Sequence, residues 1–347
     1  MEFVEVDGSQ GEGGGQILRT AVAFASILRK PVRVSRVRAG RGVPGLKRQH
    51  ISALTVLAKV FGGELGGAVE GSSTVTFVPG APEAASLSVD MGTAASITLV
   101  LQAVVPAVAL SGGRLRLDLT GGTDVPWSPT FDYFANVVRD AYGLMGIRFQ
   151  TMAAQRGYYP RGGGRAVTTI EPCDHLAPLD LCEGGTPREA QVQSRCGGLP
   201  VHVAERQLSA ASTLLDGAGI RVSAAESSAA PSSSPGSSIL IYSRAPGAFL
   251  GSDGIGARGK PAEEVGREAA ARFVAEAGSG ACMDSNLSDM VLPLLSLAHA
   301  KSRVRVRAVS SHLKSGMEIA ELFTHCSWSV GAGSGSCTVA VTPRSRT

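Results

Sequence analysis

The stretch GGGQILRTAVAFASIL (residues 13–28), followed by RVSRVR (33–38) and a helical pattern over about 46–61, decides the fold because it occurs three times. The second copy is AASITLVLQAVVPAVAL (94–110), then RLRLDL (114–119), then a helix over about 129–144. The third is NLSDMVLPLLSLAHA (286–300), then RVRVRA (303–308), then a helix over about 315–324. The middle piece alternates apolar with basic or polar residues, the period-two signature of a strand with one buried face, and the flanking runs carry helical spacing. Each unit therefore reads as a strand backed by two helices, an α/β architecture.

Working outward, the strand starts at Arg33, Arg114 and Arg303 stand 81 and then 189 residues apart. A unit recurring about every 80 residues leaves roughly 110 extra residues in the second interval. The expected organisation is a large discontinuous domain of three repeated sheet-plus-two-helix units (1–183 and 278–347). A smaller inserted α/β domain spans 184–277. The insert has strand-like segments at 190–194 and 238–243 and helical ones at 204–215 and 262–277. Its segment AAESSAAPSSSPGSS (224–238) has the small polar composition of a disordered loop.

The whole chain of 347 residues is 44% hydrophobic and 18% charged, which excludes a wholly disordered polymer and permits a substantial core. Its 44 glycines follow no collagen period, so they belong to turns and tight loops. The net charge of +4 permits a nucleotide or nucleic-acid partner without demanding one. None of the six cysteines forms a C-x-x-C pair and no signal peptide opens the chain, so an intracellular protein with reduced thiols is expected, nuclear or cytoplasmic. The uncharged run 91–113 contains Gln102 and Pro106 and suits a buried core helix better than a membrane span.

Two loops carry candidate chemistry. DGSQGEGGGQ (7–16) leads from a strand into a helix, with Arg19 one turn inside. Glycines allow close backbone approach to a phosphate, and a helix start offers free N–H groups. It matches neither standard nucleotide-binding signature, and a glycine-rich turn is the alternative. Glu12 would repel a phosphate unless a divalent cation, Mg²⁺ or Mn²⁺, lay between them. The second loop, RVRAGRGVPGLKRQH (36–50), concentrates Arg36, Arg38, Arg41, Lys47, Arg48 and His50 with no acid among them. Arginine forks match phosphate oxygens, so a polyphosphate or an RNA end suits it better than a merely solvated face. No histidine pair has the spacing of a zinc helix; His175, His202, His299 and His325 read as structural. His312 differs, following a repeat strand directly in the turn equivalent to the basic loop.

These motifs together resemble the RNA 3′-terminal phosphate cyclase family. DGSQGEGGGQILRTA and RAGRGVPGLKRQH carry most of the resemblance. LVLQAVVPA (99–107), GGTDVPWSP (121–129), RGYYPRGGG (156–164), HVAER (202–206), SDMVLPLL (288–295) and SSHL (310–313) extend it over most of the chain. The resemblance implies ATP-dependent conversion of an RNA 3′-phosphate to a 2′,3′-cyclic phosphodiester through a histidine carrying AMP. It implies His312 as nucleophile, Glu12 and Asp289 as metal ligands, and Gln102, Pro129, Asn286, Asp289, Met290 and Arg19 as ATP-binding residues. Arg38, Arg41, Gln49 and His50 match the groups that hold phosphates or the RNA end. Relatives usually place Tyr and Gln where this chain has Asn286 and Met290, and Leu-Thr-Asn where it has Lys314-Ser315-Gly316. The alternative is a cyclase-like paralogue acting in pre-rRNA processing and ribosome assembly, a branch that lacks the nucleophilic histidine. Because every matched nucleotide residue precedes or follows the insert, the insert is expected to be dispensable for adenylation.

Overall fold

The computed structural model describes residues 2–11, 14–245 and 247–344. Its first unit runs β1 (Val4–Asp7), α1 (Gly15–Leu28), β2 (Val32–Ser35), α2 (Arg48–Phe61), β3 (Glu64–Gly66) and β4 (Val75–Val78). The second repeats that order as β5 (Ser86–Asp90), α3 (Ile97–Leu110), β6 (Leu115–Gly121) and a helical stretch, then β7 (Phe149–Gln155) and β8 (Gly164–Ile170). Its helical stretch is α4 (Phe131–Tyr133), a π turn (Phe134–Val138) and α5 (Arg139–Leu144). The third unit opens with β9 (Asp180–Leu181) and is then interrupted by β10 (Glu189–Gly197), α6 (His202–Gly217), β11 (Arg221–Ala229), β12 (Gly236–Ser243), β13 (Leu250–Ile255) and α7 (Ala262–Gly278). It resumes with α8 (Ser285–Val291), a 3-10 turn (Leu292–Leu297), β14 (Ser302–Val306), α9 (Ser311–Thr324), β15 (Ser327–Ala332) and β16 (Cys337–Thr342).

Sheet topology makes the repeat explicit. The strand orders are β1-β2-β4-β3, β5-β6-β8-β7 and β9-β14-β16-β15, one pattern three times. In each unit the first two strands pair in parallel (Val4 with Val32, Ser86 with Arg116, Asp180 with Arg303), joined by a crossover helix. The inserted sheet, β11-β10-β12-β13, has a different order and is not a fourth copy.

Local sequence accounts for these elements. Along β6, Leu115, Leu117 and Leu119 point inward and Arg116 and Asp118 outward, the period-two alternation in which each buried leucine contributes about 1.5–3 kcal/mol. Helix α3 is buried on nearly every side, its first turn capped by Ser96 Oγ accepting from Leu99 N. Among the described residues no helix is long and apolar enough to cross a membrane.

One hydrophobic core runs through all three units, with α1 against α3 and α9 at its centre. The insert has a second core built on Val192, Leu215, Ile239, Ile241, Val265 and Phe273. Strand β12 joins the two. Ile239 and Ile241 face the insert's core while the alternate residues Leu240 and Tyr242 belong to the main one. A strand buried on both faces reads as an unbroken apolar run, as Ile239 to Tyr242 does.

The structure corrects the serine-rich segment. Residues 224–229 lie in β11, paired in parallel with β10, and the turn that follows is pinned to a loop of the second unit. Arg156 N donates to Pro231 O (2.7 Å), Tyr158 N to Ser234 Oγ (2.8 Å) and Ser233 Oγ to Gly162 O (2.6 Å). Small hydroxyl residues satisfy the buried backbone groups of 156–162. Composition cannot reveal this, because the partner atoms stand some 70 residues away.

Two boundaries also move. The strand expected over 33–38 ends at Ser35, since Val37 turns into the core with its N–H on Ser73 O, leaving Arg36 and Arg38 in the left-handed region (φ 51° and 58°). The last helix begins at Ser311 rather than near 315, because Ser310 caps it with Oγ accepting from Leu313 N at 2.8 Å.

Candidate active site

The threefold repetition brings equivalent turns to one end of the molecule. A cleft of about 610 Å³ opens there between the starts of α1, α3, α8 and α9. Arg19, Arg38, Arg41, Gln49 and His50 reach it from the first unit, Gln102 and Pro129 from the second, and Asn286, Asp289, Met290 and His312 from the third. Every site residue expected from sequence is therefore on its walls except Glu12, which lies outside the described residues.

The first-unit wall is cationic and tightly built. His50 is almost fully buried, and Lys47 N–H donates to its Nδ1 at 3.0 Å. A backbone N–H can only donate, so the neutral ring carries its proton on Nε2. That nitrogen faces Gly15, where a Cβ would collide with the imidazole and crowd Arg19; glycine is required for this approach. Burial first, and then the positive charges of Arg19, Arg38 and Lys47, hold His50 down at about 3, so the ring stays neutral. Burial also lowers Arg19, to about 10, and lowers Arg38, with Arg41 adding repulsion. Arg19 Nε is shut off from solvent with no hydrogen-bond partner among the described residues. An inward guanidinium beside further cations is electrostatically suited to an anion.

Across the cleft, His312 occupies the second position of α9, where free backbone N–H groups give the helix start a partial positive charge. Two contacts place it. Ser310 Oγ donates to Asp289 Oδ1 at 2.6 Å, tying the start of α9 to α8, and Gln16 Nε2 donates to the His312 carbonyl at 3.3 Å, tying it to α1. Gly11 sits with φ +55° against Ser315 Oγ, where a Cβ would collide. The glycine loop and α9 are thus packed in contact.

The remaining wall comes from the second unit and, unexpectedly, from the insert. Asp253 on β13 lines the cleft, and its Oδ2 accepts from Thr130 N at 2.6 Å. Burial raises the Asp253 pKa, against hydrogen bonds from Thr130. Nearby, Asp284 caps α8 with Oδ1 accepting from Leu287 N and Tyr133 O–H, and Oδ2 accepting from Gly251 N, so it binds insert, second unit and third unit together. Every matched residue lies outside the insert, yet β13 of the insert also contributes to the cleft wall. No sequence signal marks Asp253, because only folding sets β13 beside Thr130. Trp127 and Ser128, also on the wall, fall inside the motif GGTDVPWSP but carry no catalytic pattern.

Behind this wall, Arg156 is enclosed between Asp124 (3.2 Å) and Asp132 (2.5 Å), and all three side chains are buried. His175, His299 and His325 lie together around a separate hollow at the other ends of α1 and α3, about 20 Å away along those helices.

A family model described as RNA 3′-terminal phosphate cyclase matches residues 10–330. The chain belongs to this family. It is 41% identical over 327 residues to a protein of Caldivirga maquilingensis called RNA 3′-terminal phosphate cyclase, covering 92% of each chain. A protein of the same description from Thermococcus kodakarensis is 42% identical over 323 residues, covering 93% of each. The enolpyruvyl transferase NikO from Streptomyces tendae aligns over 96% of this chain and 47% of its own at a TM-score of 0.37 and 11% identity, too distant to carry an argument.

Asn286 is exposed on the cleft wall and Met290 is buried at its base. Ser315 and Gly316 face away into packing, Ser315 against Gly11 and Gly316 against Pro293, where a larger side chain would clash. Ser315 and Gly316 thus serve the packing of α9, while Asn286 and Met290 line the cleft.

Proposed function

We propose that the chain converts an RNA 3′-phosphate to a 2′,3′-cyclic phosphodiester at the expense of ATP, with His312 carrying AMP. The observation that supports this reading is the pairing of walls: a histidine at a helix start shares one cleft with Arg19, Arg38 and Arg41, whose cations suit phosphates. An imidazole nitrogen of His312 attacks the ATP α-phosphorus, forming a P–N bond and releasing pyrophosphate. An oxygen of the RNA 3′-phosphate then takes the AMP, freeing the histidine. The neighbouring 2′-hydroxyl attacks the activated phosphorus, gives up its proton and expels AMP. Splitting the transfer into steps gives a poor electrophile a good leaving group.

Arg19 and Arg38 neutralise charge that builds on the in-line phosphoryl oxygens, and the Nε2–H of His50 stands as a neutral donor beside them. Gln102, Pro129, Asn286 and Met290 form the adenosine side. Asp289 offers a hard oxygen donor opposite the arginines and fits a divalent cation, Mg²⁺ or Mn²⁺, with Glu12 as its expected second ligand. Such an ion would further neutralise the triphosphate.

The test is incubation with α-labelled ATP. The protein should take up one covalent AMP that is labile in acid, stable in alkali and confined to the peptide holding His312. The ribosome-assembly paralogue would take up none.

A further inference from the structure

Trp127 is 95% exposed, although tryptophan is among the side chains that proteins most often cover. It projects at the mouth of the cleft that holds His312 and the arginines. Its backbone occupies the left-handed region at φ 61°, an uncommon conformation for a residue with a bulky side chain. The chain around it is firmly held. Val125 is buried, Ser128 Oγ donates to Val125 O (2.8 Å), Thr98 Oγ1 donates to Pro129 O (2.8 Å), and Thr130 N donates to Asp253 (2.6 Å). Behind it Asp124 is locked to Arg156. A rigid loop thus presents a fully solvated indole beside a phosphate-binding wall.

We propose that Trp127 is a stacking platform for a base in the 3′-terminal segment of the RNA. The proposal rests on the cyclase reading and adds a subsite to it. An exposed aromatic face next to arginines is the chemistry that grips single-stranded nucleic acid, since every base has a π face and every linkage a charge. Position selects RNA over ATP. A nucleotide lodged whole between His312 and Pro129 lies inside the cleft, whereas a polymer whose end reaches His312 must leave through the mouth and pass over the indole. A rigid platform already in place also avoids the entropy cost of ordering a side chain on binding.

The chain has two tryptophans, Trp127 and the half-buried Trp328 of β15, so Trp328→Phe leaves Trp127 as the sole indole reporter. Titrating that variant with a short 3′-phosphorylated RNA should quench its fluorescence along the binding curve measured independently by anisotropy, while ATP alone should not. RNA that binds without quenching, or full quenching by ATP, overturns the proposal. A cycle with abasic RNA sharpens it. Trp127→Ala should weaken RNA binding by about 5- to 150-fold, the range for one base–aromatic stack, and Trp127→Phe should restore most of the loss. Removing the base at the terminal or penultimate nucleotide should cost the wild type as much and Trp127→Ala nothing further; independent, additive losses at both positions overturn the stack. Wild-type protein that binds no RNA also overturns it, and AMP labelling of that protein shows whether the cyclase reading falls with it.

Discussion

Arg19 in the first unit and Arg156 in the second are both arginines turned into the protein, and they are in opposite electrical situations. Arg156 lies between two buried aspartates, and their charges, opposing the effect of burial, hold its pKa above the ordinary value. Arg19 has no carboxylate on it among the described residues, and burial lowers its pKa to about 10. A compensated arginine fastens pieces of a fold together; an uncompensated one at a cleft wall is completed by a ligand. The comparison separates residues that hold the cleft from residues that use it.

The sharpest break is at His312. His312→Ala should abolish covalent labelling by ATP while leaving the thermal unfolding transition in place, and the variant should still cyclise a pre-adenylated RNA end. Label appearing undiminished would put the nucleophile elsewhere. Next comes the compensated arginine. Arg156→Ala leaves Asp124 and Asp132 buried without their cation and should cost about 3–5 kcal/mol in urea unfolding. Arg19→Ala should do the reverse, lowering kcat/KM for adenylation by about 10²–10³, or about 2.7–4 kcal/mol of transition-state stabilisation, with the urea midpoint essentially unmoved. Equal stability losses in the two variants would erase the distinction.

Two smaller effects test the framework around them. Ser234→Ala removes the acceptor of Tyr158 N–H and should cost about 1–3 kcal/mol, a loss that a disordered serine loop could not produce. For His50, the folded pKa of about 3 lies below an unfolded value of about 6.5, so the unfolded chain binds more protons between them. The stability it contributes is complete above about pH 6.5 and is lost as pH falls towards 3, by up to about 2 kcal/mol at pH 5. Asp284, raised to about 7 by burial, slopes the other way over much of this range, so the comparison must be wild type against His50→Gln. That difference should shrink on acidification; a constant difference would mean that His50 is not held neutral.

Much of this molecule was legible in its sequence. The three strand-and-helix copies stood out because burial of one strand face and one helix stripe writes a period into the chain, and period is local. Beyond the first strand, the opening strands and the closing hairpins of the units did not stand out. β9 is short, and β5 and β7 each carry an exposed face, so none imposes a strong pattern. The start of α9 is hard to read for a related reason: the serine cap lies within a run of two serines and a histidine, with no apolar residue between it and Leu313. The serine-rich strand has the composition of a loop, and its backbone partners, in β10 and in 156–162, are remote in sequence.

By itself, the sequence determined the three repeated strand-and-helix copies and which side chains of the first and third units have the chemistry for phosphates. Those properties follow from residue type and spacing, and the chain carries them before it folds. Tertiary structure decided everything that depends on what lies opposite: that Asp253 of the insert enters the cleft, that His50 holds its proton on Nε2, that Arg156 is neutralised and Arg19 is not, and that Trp127 stays in water. Burial and charge compensation are sums over neighbours, and the neighbours are chosen only when the three units close around one another.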